Sequence, residues 1–144
     1  MLTTGANFKE MLSDYSNNIV SATFLNSSDS NVTGAAYSFD VSNGEDGSVM
    51  AYLVPNSADS TKYDLKIKTT RDVLYANPDS SSMFNGFSSL SVIEVSKLDV
   101  SRVIDMSYMF DGLPISSFDG STWNTSNVTN MSSMFSHCDN LAEV

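Results

Sequence analysis

Apolar residues along this chain change their spacing several times, and each change marks an element. From Thr4 to about Tyr15 they fall at Phe8, Met11, Leu12 and Tyr15, the i, i+3, i+4, i+7 spacing of one helix face. Thr3 or Thr4 offers the N-cap hydroxyl, and Asn17-Asn18 ends the run. Ile19 to Leu25 is dense in β-branched and aromatic residues and predicts a strand. After a polar loop over Asn26–Thr33, Ala35, Tyr37, Phe39 and Val41 alternate with Ala36, Ser38 and Asp40, the two-residue period of a half-buried strand. Asn43-Gly44-Glu45-Asp46-Gly47 supplies two glycines for positive φ, and Val49 to Val54 runs back, which predicts a hairpin. Beyond a loop at Pro55–Thr61, Tyr63, Leu65 and Ile67 alternate with Lys62, Asp64, Lys66 and Lys68, a strand with one solvated and mostly basic face. Val73-Leu74-Tyr75 predicts a last short strand, so residues 1–79 read as a non-repetitive, strand-rich unit with one helix.

From Ser80 the pattern repeats. The pair Met-Phe recurs at 83, 109 and 134, in steps of 26 and 25 residues, a recurrence length typical of solenoids. Aligned on that pair, Phe87, Leu113 and Cys138 share a column, then Leu90, Ile115 and Leu141, then Ile93, Phe118 and Val144. Val103 aligns with Val128 and Met106 with Met131. Pro114 and Gly120 make the second copy irregular, and the third stops at Val144, which predicts a fragment of a longer parent. A single copy carries too few apolar side chains to offset the ordering of its backbone, so copies are expected to stack. Ser91–Val95 and Ser117–Asp119 are the expected strands, and Ser-x-Met-Phe the expected helical turn. The predicted class is α/β: a leucine-rich-repeat-like solenoid of short parallel strands and helical turns over residues 80–144, capped by the β-rich unit 1–79.

Composition narrows the function classes. Seven basic against seventeen acidic residues give a net charge of −10, which disfavours nucleic-acid phosphates and anionic membrane surfaces as partners. About a fifth of the residues are serine, read as turn chemistry because much of it falls at fixed places in the repeat. The single Cys138 forbids an internal disulfide and a cysteine metal cluster. No run of about 18 apolar residues is present, so no membrane insertion is expected. Neither a secretory leader nor a lipidation motif occurs at the ends.

The phrase Trp123-Asn124-Thr125-Ser126-Asn127-Val128-Thr129-Asn130-Met131-Ser132-Ser133-Met134-Phe135, with Cys138 and Leu141 after it, resembles the BspA-type leucine-rich repeat of bacterial surface proteins. The resemblance covers residues 80–144 and, more weakly, the leader before them. It implies a secreted or wall-attached bacterial protein that adheres to host or bacterial surface proteins, such as matrix or epithelial components, without enzymatic activity.

Candidate chemistry is sparse. His137-Cys138 pairs a base with a nucleophile only in sequence, and the cysteine's column predicts an inert thiol. Asp40, Glu45 and Asp46 fail the calcium-loop spacing and read as a turn, so no metal and no cofactor are predicted. Asp99, Asp105, Asp111 and Asp119 are scattered, leaving a carboxylate hydrolase as a minor alternative beside a structural stalk. Asn-x-Ser/Thr sequons stand at Asn26, Asn31, Asn124, Asn127 and Asn130. The expected binding face is Val92, Glu94, Ser117 and Asp119, the outward positions of the two expected strands. Self-association is expected at an unpaired C-terminal strand edge.

Overall fold

A computed structural model describes residues 1–144. Helix α1 (Gly5–Met11) precedes a short 3-10 turn (Ser16–Asn18) and strands β1 (Ile19–Leu25), β2 (Tyr37–Asp40), β3 (Val49–Pro55) and β4 (Tyr63–Thr69). Two-residue β5 (Leu74–Tyr75), β6 (Val92–Glu94) and two-residue β7 (Leu98–Asp99) complete the chain order. Five strands form one mixed sheet in the order β2-β3-β4-β1-β6. β2, β3 and β4 pair antiparallel, whereas β1 lies parallel to both β4 and β6. β5 and β7 form a separate parallel pair.

The helix begins where expected, with Thr4 Oγ1 accepting from Asn7 N–H at 3.3 Å. It ends at Met11 rather than near Tyr15. Ser13 Oγ donates to the Glu10 carbonyl at 2.7 Å, the side-chain competition that makes serine a poor helix continuer. Tyr15 instead joins an aromatic cluster with Tyr37, Phe39 and Tyr63. The predicted hairpin forms, but β2 is shorter than Ala35–Val41. Its turn uses positive φ at Glu45 and Gly47, not at Gly44.

Alternation along the strands turns Ala22 and Phe24, Ala51 and Leu53, and Leu65 and Ile67 to one face, where α1 adds Phe8 and Leu12. Phe84 is the joint between this layer and the periodic segment. Its ring packs at 5.5 Å from Phe8, 6.1 Å from Phe24, 5.3 Å from Phe87 and 5.9 Å from Phe110. A single core of 29 buried apolar side chains, from Leu2 to Met134, results.

The periodic segment folds otherwise than its spacing predicts. The leucine-rich-repeat-like solenoid with a separate cap is overturned by the mixed sheet, in which β6 from the periodic segment is one edge of the sheet built by β1–β4. Ser117–Asp119 forms no strand; Ser117 makes only an isolated parallel bridge to Glu143. The Met-Phe phrases are tight turns instead. Ser82, Tyr108 and Ser133 hold φ near +60° at equivalent places (61, 57 and 56), a left-handed conformation that the expected right-handed helical turn does not contain. These turns bond to one another: Ser82 N–H to Ser107 O and Phe84 N–H to Met109 O, then Tyr108 N–H to Ser132 O and Phe110 N–H to Met134 O, at 2.9–3.1 Å. Phe84, Phe110 and Phe135 stack face to face with interplanar angles of 10° and 14°. The recurrence in the sequence is therefore a recurrence of turns.

Candidate functional site

The largest concavity, about 880 Å³, is a groove between α1 and the outer edge of the sheet. One wall is the helix stripe Asn7, Glu10 and Met11; the other is β2, with Ser38, Phe39 and Asp40; Asn43 and Glu45 close one end. Met11 is 38% exposed. Three carboxylates line the groove, and no lysine or arginine does.

β2 terminates the sheet, paired only with β3. Val41 N–H donates to Val49 O at 3.0 Å in the same register. Antiparallel ladders alternate, so the odd-numbered residues face β3, while Ser38 and Asp40 turn their backbone N–H and C=O away from the sheet. Beyond β2 the edge is covered by the N-terminal residues, where Thr3 N–H bonds to Val41 O and Asn43 N–H to Met1 O. The open part of the edge is thus β2 itself, beside the groove. Asp40 is held in place by its own turn: its carboxylate accepts from Ser42 Oγ at 2.6 Å, Ser42 N–H at 3.0 Å and Gly47 N–H at 3.0 Å. These bonds, the Ser42 hydroxyl foremost, keep its pKa below the usual carboxylate value. Asp46 is drawn down to about 2 by Ser48 in the same hairpin. The Asp40–Asp46 cluster is turn scaffolding, as its spacing predicts.

The predicted face lies elsewhere. Val92 (62% exposed) and Glu94 sit on edge strand β6 at the opposite end of the sheet. Ser117 and Asp119 are exposed on the loop after it. Glu94 and Asp119 come near enough for the Asp119 charge to raise the Glu94 pKa slightly. Even so, both stay low, since each caps the residue two further on, Ser96 and Ser121. Nothing concave joins these four residues. Sequence reasoning missed the groove because it forms between α1 and β2, elements 26 residues apart that no motif links. No signal in the sequence joins them: the uncharged run Ser30–Phe39 has a longer counterpart at Ser80–Ile93, away from the groove.

Nucleophile–base geometry is absent at His137. Its Nδ1 meets both Asp111 Oδ1 at 3.0 Å and Ser136 Oγ at 3.2 Å, whereas a proton relay needs those partners on different ring nitrogens. Asp111 raises the His137 pKa. Cys138 Sγ lies 3.1 Å from the Phe110 carbonyl and donates to it, and partial burial pushes the thiol pKa up, the opposite of an activated nucleophile. Asp99, Asp105 and Asp119 each accept from the N–H two residues on. Among the sequons, the side-chain oxygens of Asn26, Asn124 and Asn130 accept from the N–H two residues on, while the side-chain amides of Asn26 and Asn127 donate to the distant Asp72 and Ser101 carbonyls. No three His, Cys, Asp or Glu residues converge as metal ligands.

A family profile described as "Mycoplasma protein of unknown function, DUF285" matches residues 50–143. This corrects the BspA-type leucine-rich-repeat resemblance, which rested on the Trp-Asn-Thr-Ser and Met-Phe phrases lying within the matched span. Those phrases encode stacked turns here, without the strand per coil that a leucine-rich repeat requires. No curated protein matches the chain, and no solved structure does.

Proposed function

The chain belongs to the DUF285 family, and from that premise we propose that it is a non-catalytic protein-binding module displayed at a cell surface. The observation that carries this reading is the groove, where an uncovered sheet edge runs beside an exposed helix stripe. Exposed strand edges are recognition elements, because a partner strand satisfies their backbone groups while pockets alongside choose its side chains. The arrangement of the carboxylates supports binding over hydrolysis. Hydrolytic acid–base pairs need one carboxyl pushed upward, whereas of the carboxylates considered for hydrolysis, Asp99, Asp105, Asp111 and Asp119, the last is held below its usual value by its bonds to Ser121. A stalk would need no groove.

Capture from matrix and epithelial extracts tests the reading, with Asn7→Trp as the control that fills the groove from an exposed helix position. We expect the immobilised protein to retain a partner that the variant releases. Equal retention by both, or by neither, overturns the proposal. Protease treatment of intact cells tests display: removal of the protein without lysis is the expected result.

A further inference from the structure

Resting on that binding role, we propose that the groove takes a basic, extended peptide segment of a partner protein, which adds as a sixth strand to the outer edge of β2.

Three observations select this occupant. The first is the edge itself. Edge strands are commonly protected by lysine, proline, a bulge or a covering loop. β2, Tyr37-Ser38-Phe39-Asp40, has neither lysine nor proline and pairs in continuous register with β3, the irregularity at Ala36, whose N–H also reaches Leu53 O at 2.8 Å, lying before it. The N-terminal segment covers the chain from Val41 onward and stops short of β2. Ser38 and Asp40 therefore offer one N–H and one C=O each to an incoming strand, at the spacing that strand addition uses.

The second is charge. Glu10 on the helix and Glu45 at the closed end face the groove together with Asp40, and no cationic side chain lines it. All three carboxylates are exposed or half-buried, so lysine or arginine side chains of a bound strand would meet solvated carboxylates. The same charges argue against a second copy of this chain. A twofold pairing of β2 with β2 would bring Glu10 and Glu45 of two molecules, each of net charge −10, toward one another.

The third is the apolar contact between the acids. Met11 and Phe39 are the hydrophobic residues of the lining, and Met11 is 38% exposed although it belongs to the helix stripe that faces the sheet edge. An extended peptide alternates its side chains between two faces. A segment carrying both aliphatic and basic residues would place an aliphatic one against Met11 and Phe39, while long basic side chains reach Glu10 on the same helix wall and Asp40 and Glu45 across the groove. Methionine suits such a surface because its unbranched side chain adapts to differing partners.

A fluorescent synthetic peptide alternating lysine and valine is the probe, with the glutamate–valine peptide as its counterpart. We expect anisotropy to report binding of the first and not of the second. That affinity should fall about tenfold between about 50 and about 300 mM salt, as expected where solvated charges contribute. Glu10→Gln and Glu45→Gln should each weaken it by about threefold. Ser38→Pro removes the outward N–H at a position where a strand edge tolerates proline and should abolish binding. If that variant misfolds by circular dichroism, amide exchange of the natural protein decides instead: protection of residues 37–40 by the peptide is expected. Equal binding of the two peptides, protection elsewhere, or a concentration-dependent dimer that buries β2 each overturn the inference. Retention of a partner that Asn7→Trp releases, without any binding of the basic peptide, would leave the binding role standing and reject only this occupant.

Discussion

Gly5 enters α1 without a side chain because there is no room for one. A β-carbon at that position would lie 2.1 Å from the Ser81 carbonyl oxygen and 2.7 Å from the Ser80 backbone, while Gly5 N–H donates to Asp79 O at 2.9 Å. The helix start is thus pressed onto the first Met-Phe turn. Gly5→Ala, a change that stabilises most helices, should here destabilise by an amount at or above the top of the roughly 1–3 kcal/mol range for overpacking. Urea unfolding followed by circular dichroism measures it, and an unchanged midpoint would refute the close approach. Nothing in Thr4-Gly5-Ala6 announces this role. The glycine reads in sequence as an ordinary helix-start residue, because its neighbour in space is 76 positions away.

At the level of the element, the turns explain both what the sequence revealed and what it concealed. The Met-Phe recurrence was legible because Met83, Met109 and Phe110 are buried and Phe84 is the aromatic joint. Their conformation was not, since left-handed φ falls on Ser82, Tyr108 and Ser133, none of which is glycine. A second left-handed place is held by Gly86, Gly112 and His137, with φ of 90°, 79° and 58°. His137 therefore bears a steric cost that its two predecessors avoid, and its bond to Asp111 offsets part of it. That offset depends on pH. The folded-state pKa of His137 is raised above 6.5, so the stabilisation is fully present below the unfolded pKa and disappears as pH rises through the folded value. His137→Gly should accordingly raise Tm most above about pH 8 and least near pH 5. A pH-independent difference in Tm would show that Asp111 contributes nothing.

Across the whole molecule, one core connects what the sequence divided. The strands of residues 1–79 were readable from period-two alternation, and β1, β3 and β4 lie close to their predicted spans. Their pairing partners were not readable, because β6 reads as part of a repeat while its neighbour in the sheet is β1. Leu74–Tyr75 likewise pairs with Leu98–Asp99 across the proposed boundary at residue 80. With Phe84 touching helix, sheet and second turn together, thermal unfolding should be a single transition whose calorimetric and van't Hoff enthalpies agree. Two resolved transitions would show that the turns melt apart from the sheet.

The placement of β1 also governs how the molecule is made. β1 occupies an inner position in the sheet, yet its neighbours are β4, more than forty residues later, and β6, about seventy residues later. A ribosome delivers β1 long before either companion, so Ala22 and Phe24 wait unburied while β2 and β3 emerge. Such distant pairings slow folding, since a long loop must close before its contacts repay the ordering. The nascent sheet therefore reaches closure only once Glu94 has left the exit tunnel, and the interval before that is when the growing polypeptide most needs chaperone shelter.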